Sequence, residues 1–114
     1  MKKTLFCFFT IALLTACSAK LAVLTQADAD RGAQKFPGLT LNDLVEGQSL
    51  FKLNCSQCHP LKNPTSRNEV QWRKVVPRMA AKAERKANKK KIDAATQEKI
   101  LKYLITASIA TASK

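Results

Sequence analysis

The chain of 114 residues has only three glycines, four prolines, one tryptophan, one tyrosine and one histidine. With apolar residues at 46%, so little glycine and proline points to a globular chain and excludes a disordered one. No alternating apolar–polar run appears, which argues against a half-buried strand and for an all-α chain. No internal repeat is present. A single histidine excludes any site built on two of them. Acidic residues are scarce, eight against 20 Lys and Arg, for a net charge of +12. The longest mostly apolar run, residues 5–14, is too short to span a bilayer. The length suggests one small domain, whose modest core often needs a metal or cofactor as a staple.

Lys2 and Lys3 precede that apolar run, which together read as an export signal over residues 1–16. Leu14-Thr15-Ala16-Cys17 then resembles a bacterial lipobox, in which the leader is removed before the cysteine and its thiol carries diacylglycerol. The alternative is an ordinary leader with an incidental cysteine. The resemblance implies a lipid-anchored protein at the periplasmic face, and Ser18 after the cysteine favours the outer membrane. Processing leaves 98 residues and lowers the charge to +10, because Lys2 and Lys3 leave together. Of four cysteines, Cys7 departs with the leader and Cys17 is lipidated, so only Cys55 and Cys58 remain in the domain.

Residues 18–39 read as a tether, polar and ending in Phe36-Pro37-Gly38, with an r.m.s. span of about 25 Å. Thr40 is the expected N-cap of a helix over 41–53, with Leu41, Leu44, Val45 and Phe51 near one face. Gly47 inside it lowers helix propensity by about 1 kcal/mol relative to Ala, so a close contact should compensate. Residues 60–65 read as a loop. Ser66-x-x-Glu69 predicts a capping box and a helix carrying Val70, Trp72, Val75 and Val76. Pro77 should end or kink it. Residues 80–91, rich in Ala and Lys, read as partly helical. Asp93 is the next expected N-cap, before a stripe of Ala95, Ile100, Leu101, Tyr103 and Leu104 that ends near 106. Residues 107–114 read as a frayed tail. The domain is thus expected over 40–106.

The chemistry concentrates in Cys55-Ser56-Gln57-Cys58-His59. Two thiols three positions apart on a helical turn can each add to one of the two vinyl groups on a haem edge, and the adjacent imidazole then faces the iron. This spacing marks c-type haem attachment. A structural zinc site needs four ligands, usually two such pairs, and the chain has one. A thioredoxin-like redox pair needs a strand–helix–strand setting, which is absent. With His59 as the only histidine, the sixth iron ligand cannot be a second one. Met79, the only methionine after processing, is the candidate, and a thioether opposite histidine raises the potential. The alternatives for Met79 are core filling, or displacement by a lysine such as Lys82 or Lys86.

Residues 36–104 resemble small class I cytochromes c, particularly bacterial monohaem domains. The resemblance rests on Phe36-Pro37-Gly38, Gly47-x-x-Leu50-Phe51, Cys55-x-x-Cys58-His59, Pro64, Trp72, Met79 and Tyr103-Leu104. It implies an all-α fold of three to four helices around one haem. It further implies that the first and last helices cross at Gly47, with Tyr103 near Phe51. Pro64 would lie in the loop beside His59, whose second ring nitrogen donates to a backbone carbonyl. Met79 follows His59 by only twenty positions, fewer than in longer mitochondrial-type relatives, which leaves the distal loop open. Trp72 is read as a wall of the pocket.

Between Lys62 and Lys102 stand 13 Lys or Arg and four acids. This is a solvated face, or a surface that steers the protein toward an acidic redox partner or anionic lipid. Nucleic acid is not expected, since the chain is exported and has no aromatic–basic motif. No nucleophile–base pair exists, so no enzyme is expected. The leading expectation is a membrane-anchored one-electron carrier with one covalent haem c, monomeric or a subunit of a redox complex. The alternatives are a haem sensor or small-ligand binder, and an accessory haem subunit of a respiratory complex.

Overall fold

The computed structural model describes residues 20–56, 59–87 and 91–110. The leader, the lipidation candidate Cys17, the thiol of Cys58 and residues 111–114 lie outside them. Four helices follow in order: α1 (Gln26–Ala33), α2 (Leu41–Cys55), α3 (Glu69–Ala87) and α4 (Ala94–Ile109), with a 3₁₀ turn at Pro64–Ser66. No strand occurs among the described residues, so the fold is all-α.

α4 is the centre of the molecule and packs against the other three helices and the 3₁₀ turn. It is apolar on most sides, as a helix enclosed by neighbours must be. Its Ile100, Leu101, Tyr103, Leu104 and Ile105 join Phe51 of α2 and Trp72 and Val76 of α3 in one core. α2 starts at Thr40, as expected. The Asp43 amide donates to Thr40 Oγ1 at 3.2 Å, and the Thr40 amide donates back to Asp43 Oδ2 at 2.8 Å. Those Thr40 bonds, the hydroxyl's first, hold the Asp43 carboxyl below its ordinary range. α2 crosses α4 at Gly47, where a Cβ would stand 2.5 Å from the Lys99 carbonyl oxygen and 2.8 Å from Tyr103 Cβ. The close approach offsets the helix propensity that glycine gives up. Phe51 and Tyr103 meet beside it, ring centroids 6.0 Å apart, and Phe51 meets Trp72 edge-on at 6.5 Å. Asp93 caps α4 by accepting from the Thr96 amide at 2.7 Å.

Several expectations are corrected. Residues 18–39 are not simply a tether, because α1 lies within them and buries Ala29 and Gly32. Gly32 lies against Leu39 and Thr106. Thr25 caps this helix, its amide and hydroxyl donating to Asp28 Oδ2 at 2.8 and 2.9 Å. Burial opposes ionisation of Asp28, but Thr25 and Arg31 outweigh it and hold the carboxyl low. The capping box of α3 is Asn68 with Gln71, each amide donating to the other's side chain at 3.0 Å, and not Ser66 with Glu69. Ser66 is used to close the 3₁₀ turn.

Pro77 neither ends nor stops α3, which runs on to Ala87. The ring is exposed, and the helix forgoes the one backbone hydrogen bond that proline cannot donate. Val45 and Val70 lie outside the core, Val70 62% exposed, and Ala95 is exposed in the first turn of α4. α4 continues through Ile109, past the expected end. No helix among the described residues is long and apolar enough to cross a membrane.

Candidate functional site

Cys55 is the last residue of α2 and half-buried. Two neighbouring side chains add bonds to carbonyls in the last turns of α2, beside the Ser56 amide that already donates to Lys52. Asn54 Nδ2 donates to the Leu50 carbonyl at 2.8 Å, and Ser56 Oγ donates to the Lys52 carbonyl at 2.6 Å. The chain then passes through Gln57 and Cys58, outside the described residues, to His59. The His59 ring is exposed, with Nδ1 2.9 Å from the Pro60 carbonyl oxygen. A carbonyl only accepts, so Nδ1 is the donor in this contact, which in the neutral ring leaves Nε2 as the acceptor. The expected backbone acceptor is thus supplied by Pro60.

The Pro64 carbonyl has a different partner. It accepts from the indole N–H of Trp72 at 2.9 Å, in a buried bond. Asn63 Oδ1 accepts from both the amide and hydroxyl of Thr65, at 3.0 and 2.9 Å. The Trp72 bond pins the loop after His59 to α3, and the Asn63 bonds shape the loop itself. The guanidinium of Arg67 lies over the Trp72 ring, 5.1 Å from its centroid.

Cys55, His59 and Met79 line one cleft. Phe51, Trp72, Val76, Ile100 and Leu104 form its apolar walls, and Lys82 stands at it too. Lys86 is not among its lining residues. The cleft is a slot of about 90 Å³. Its far end is closed by two residues that sequence reasoning missed, Ile92 and Gln97. The Ile92 amide donates to Glu84 Oε1 at 3.1 Å, and Gln97 Nε2 donates to the Ile92 carbonyl at 2.8 Å. The Glu84 bond leaves no sequence signal, because it forms only once α3 meets the segment before α4; the Gln97 bond is local, spanning five positions. Outside the cleft, Met79 also borders a groove formed with Arg67, Arg78, Lys82 and Arg85, whose lining contains no acid.

Other ionisable groups serve the frame. Glu46 holds the Lys99 ammonium above its ordinary range through a 2.6 Å bond between α2 and α4. Lys35, then Arg73, hold the Glu69 carboxyl low and tie the turn after α1 to α3. Burial raises the Tyr103 phenol, against a weaker pull from Gln48, so it stays neutral. Among the described residues, no three His, Cys, Asp or Glu side chains gather as a metal cage. Among the described residues, the donors at the cleft are the Cys55 thiol, the His59 imidazole, the Met79 thioether and the Lys82 amine. No protein-family model, curated protein or solved structure matches this chain.

Proposed function

We propose that this chain is a membrane-anchored one-electron carrier of the class I cytochrome c type, with a single haem c held by Cys55 and Cys58. The observation that carries the reading is the convergence of Cys55, His59 and Met79 on one apolar cleft. The donor chemistry fits the group: the thiols of Cys55 and Cys58 would hold it through thioether bonds, and the His59 imidazole and Met79 thioether would ligate its iron. A haem bound there would supply a reversible one-electron couple at iron. The slot, about 90 Å³, is smaller than the roughly 300–1,000 Å³ of ligand and cofactor sites, so the cleft would have to widen to seat the group.

The chain's own residues would set the properties of that couple. The Pro60 carbonyl orients the His59 ring and leaves Nε2 free for iron. Phe51, Trp72, Val76 and Leu104 exclude water, which disfavours the more highly charged ferric form, as does the neutral Met79 sulfur. The cations of Arg67, Arg78, Lys82 and Arg85 beside Met79 suit an acidic redox partner. Cys17 would carry the lipid, at the periplasmic face and with the outer membrane favoured by Ser18.

Oxidised and reduced absorption spectra test the reading. A low-spin, six-coordinate c-type spectrum is expected. A high-spin, five-coordinate resting spectrum at neutral pH rejects simple electron transfer. One observation favours a second reading, a small-ligand binder: Met79 is half-buried and also borders the outer groove. Rapid binding of carbon monoxide to the reduced protein would select that reading. Stoichiometric co-purification with a partner would instead make this chain a complex subunit.

A further inference from the structure

We propose that residues 20–24 form a docked strap that seats the domain directly on the lipid surface in one orientation. The proposal rests on the reading of Cys17 as a lipidated residue. Leu21 and Leu24 pack against the core cluster. Gln48 of α2 donates from Nε2 to the Ala22 carbonyl at 3.0 Å and to the Tyr103 hydroxyl at 3.3 Å. The strap shares a cavity with Pro64 and Thr65, the turn that Trp72 pins. It leads straight into Thr25, the cap of α1. From Leu21 onward the chain therefore belongs to the folded body.

That placement shortens the leash. Only Ser18, Ala19 and Lys20 stand between Cys17 and Leu21. At 3.3–3.6 Å per extended residue, the four steps reach at most about 14 Å. A 20-residue tether would have an r.m.s. span of about 25 Å and a far longer full reach. The outer surface of the strap suits a bilayer boundary. Val23 is 89% exposed between the two inward leucines, and Lys20 is exposed beside it. An apolar side chain can enter the headgroup layer there while the ammonium meets lipid phosphate. Because the strap lines one cavity with the turn that follows His59, the same seat fixes how the candidate site stands relative to the membrane.

Neutron reflectometry of the full lipidated chain, on a supported bilayer of phosphatidylcholine and phosphatidylglycerol, tests this. Protein density is expected to begin at the headgroups with no water layer between. Inserting a flexible Gly/Ser stretch of about ten residues between Ser18 and Ala19, away from every packed element, should open such a layer. Undocking the strap with Leu21→Ser and Gln48→Ala should do the same, by freeing up to about 17 Å of extra chain. A water layer under the unaltered, lipidated chain overturns the proposal. So does an insertion variant that sits as tightly as the original, since the strap would then not set the distance. If mass spectrometry finds no lipid on Cys17, the anchor reading fails and the strap proposal falls with it; a lipidated chain that stands off the bilayer sinks the strap alone.

Discussion

The indole N–H of Trp72 donates to the carbonyl of Pro64 across 2.9 Å of buried core. This one bond joins the middle helix to the loop that follows His59, and so ties the wall of the cleft to its donor. Trp72→Phe keeps an aromatic wall but leaves the Pro64 oxygen without its donor. An orphaned buried acceptor costs about 1–3 kcal/mol. Chemical denaturation of the variant should show a loss of about 2 kcal/mol, together with a measurable shift in the reduction potential. A variant as stable as the original would show that the bond does not hold the loop.

Gly47→Ala should also destabilise, although alanine is the better helix former by about 1 kcal/mol. The new methyl would meet the Lys99 carbonyl oxygen at 2.5 Å, and that atom is backbone. Overpacking of this kind costs about 1–3 kcal/mol or more, so a net loss of about 2 kcal/mol is expected in denaturant unfolding. A gain in stability would mean that the two helices part easily at this crossing.

The features that local chemistry decides were legible in the sequence. Thr40 and Asp93 are caps because their side chains bond amides three positions on, and Gly47 marks a close crossing because little else justifies glycine inside α2. Cys55, His59 and Met79 were nominated by spacing and by count, and they do share a cleft. α1 was missed because it is short and its inward face is made of Ala29 and Gly32, which bury little apolar surface. Its cap, Thr25 with Asp28, was the available clue. Pro77 does not end α3, because a proline removes one hydrogen bond while the packing of α3 on α4 supports the helix as a whole. Ile92 takes its amide partner from Glu84 of α3, a contact between elements that no local pattern marks.

Met79→Ala should abolish the weak red absorption typical of methionine-ligated ferric haem and lower the potential, because the neutral sulfur that favours ferrous iron is gone. Lys82 borders the same cleft and would be the replacement ligand to look for at alkaline pH. Spectra and redox titration of the purified variant check this. An unchanged spectrum would reassign Met79 to core filling.

The cations around Met79 should steer association. Reversing Arg78 and Arg85 to glutamate should slow binding to an acidic redox partner at least about tenfold at low salt. For the unaltered protein, raising ionic strength should slow association steeply as the Debye length shrinks to about 10 Å at 0.1 M. Stopped-flow kinetics across a salt series reads both effects. A rate flat with salt would leave the basic groove as a solvated face.

The most direct test of the central proposal is the intact mass of the exported chain under denaturing conditions, after treatment with a thiol-alkylating reagent. The expected result is a chain heavier by one haem, beyond any lipid on Cys17, with Cys55 and Cys58 both closed to alkylation. A chain without that added mass, and with both thiols alkylated, would contradict it.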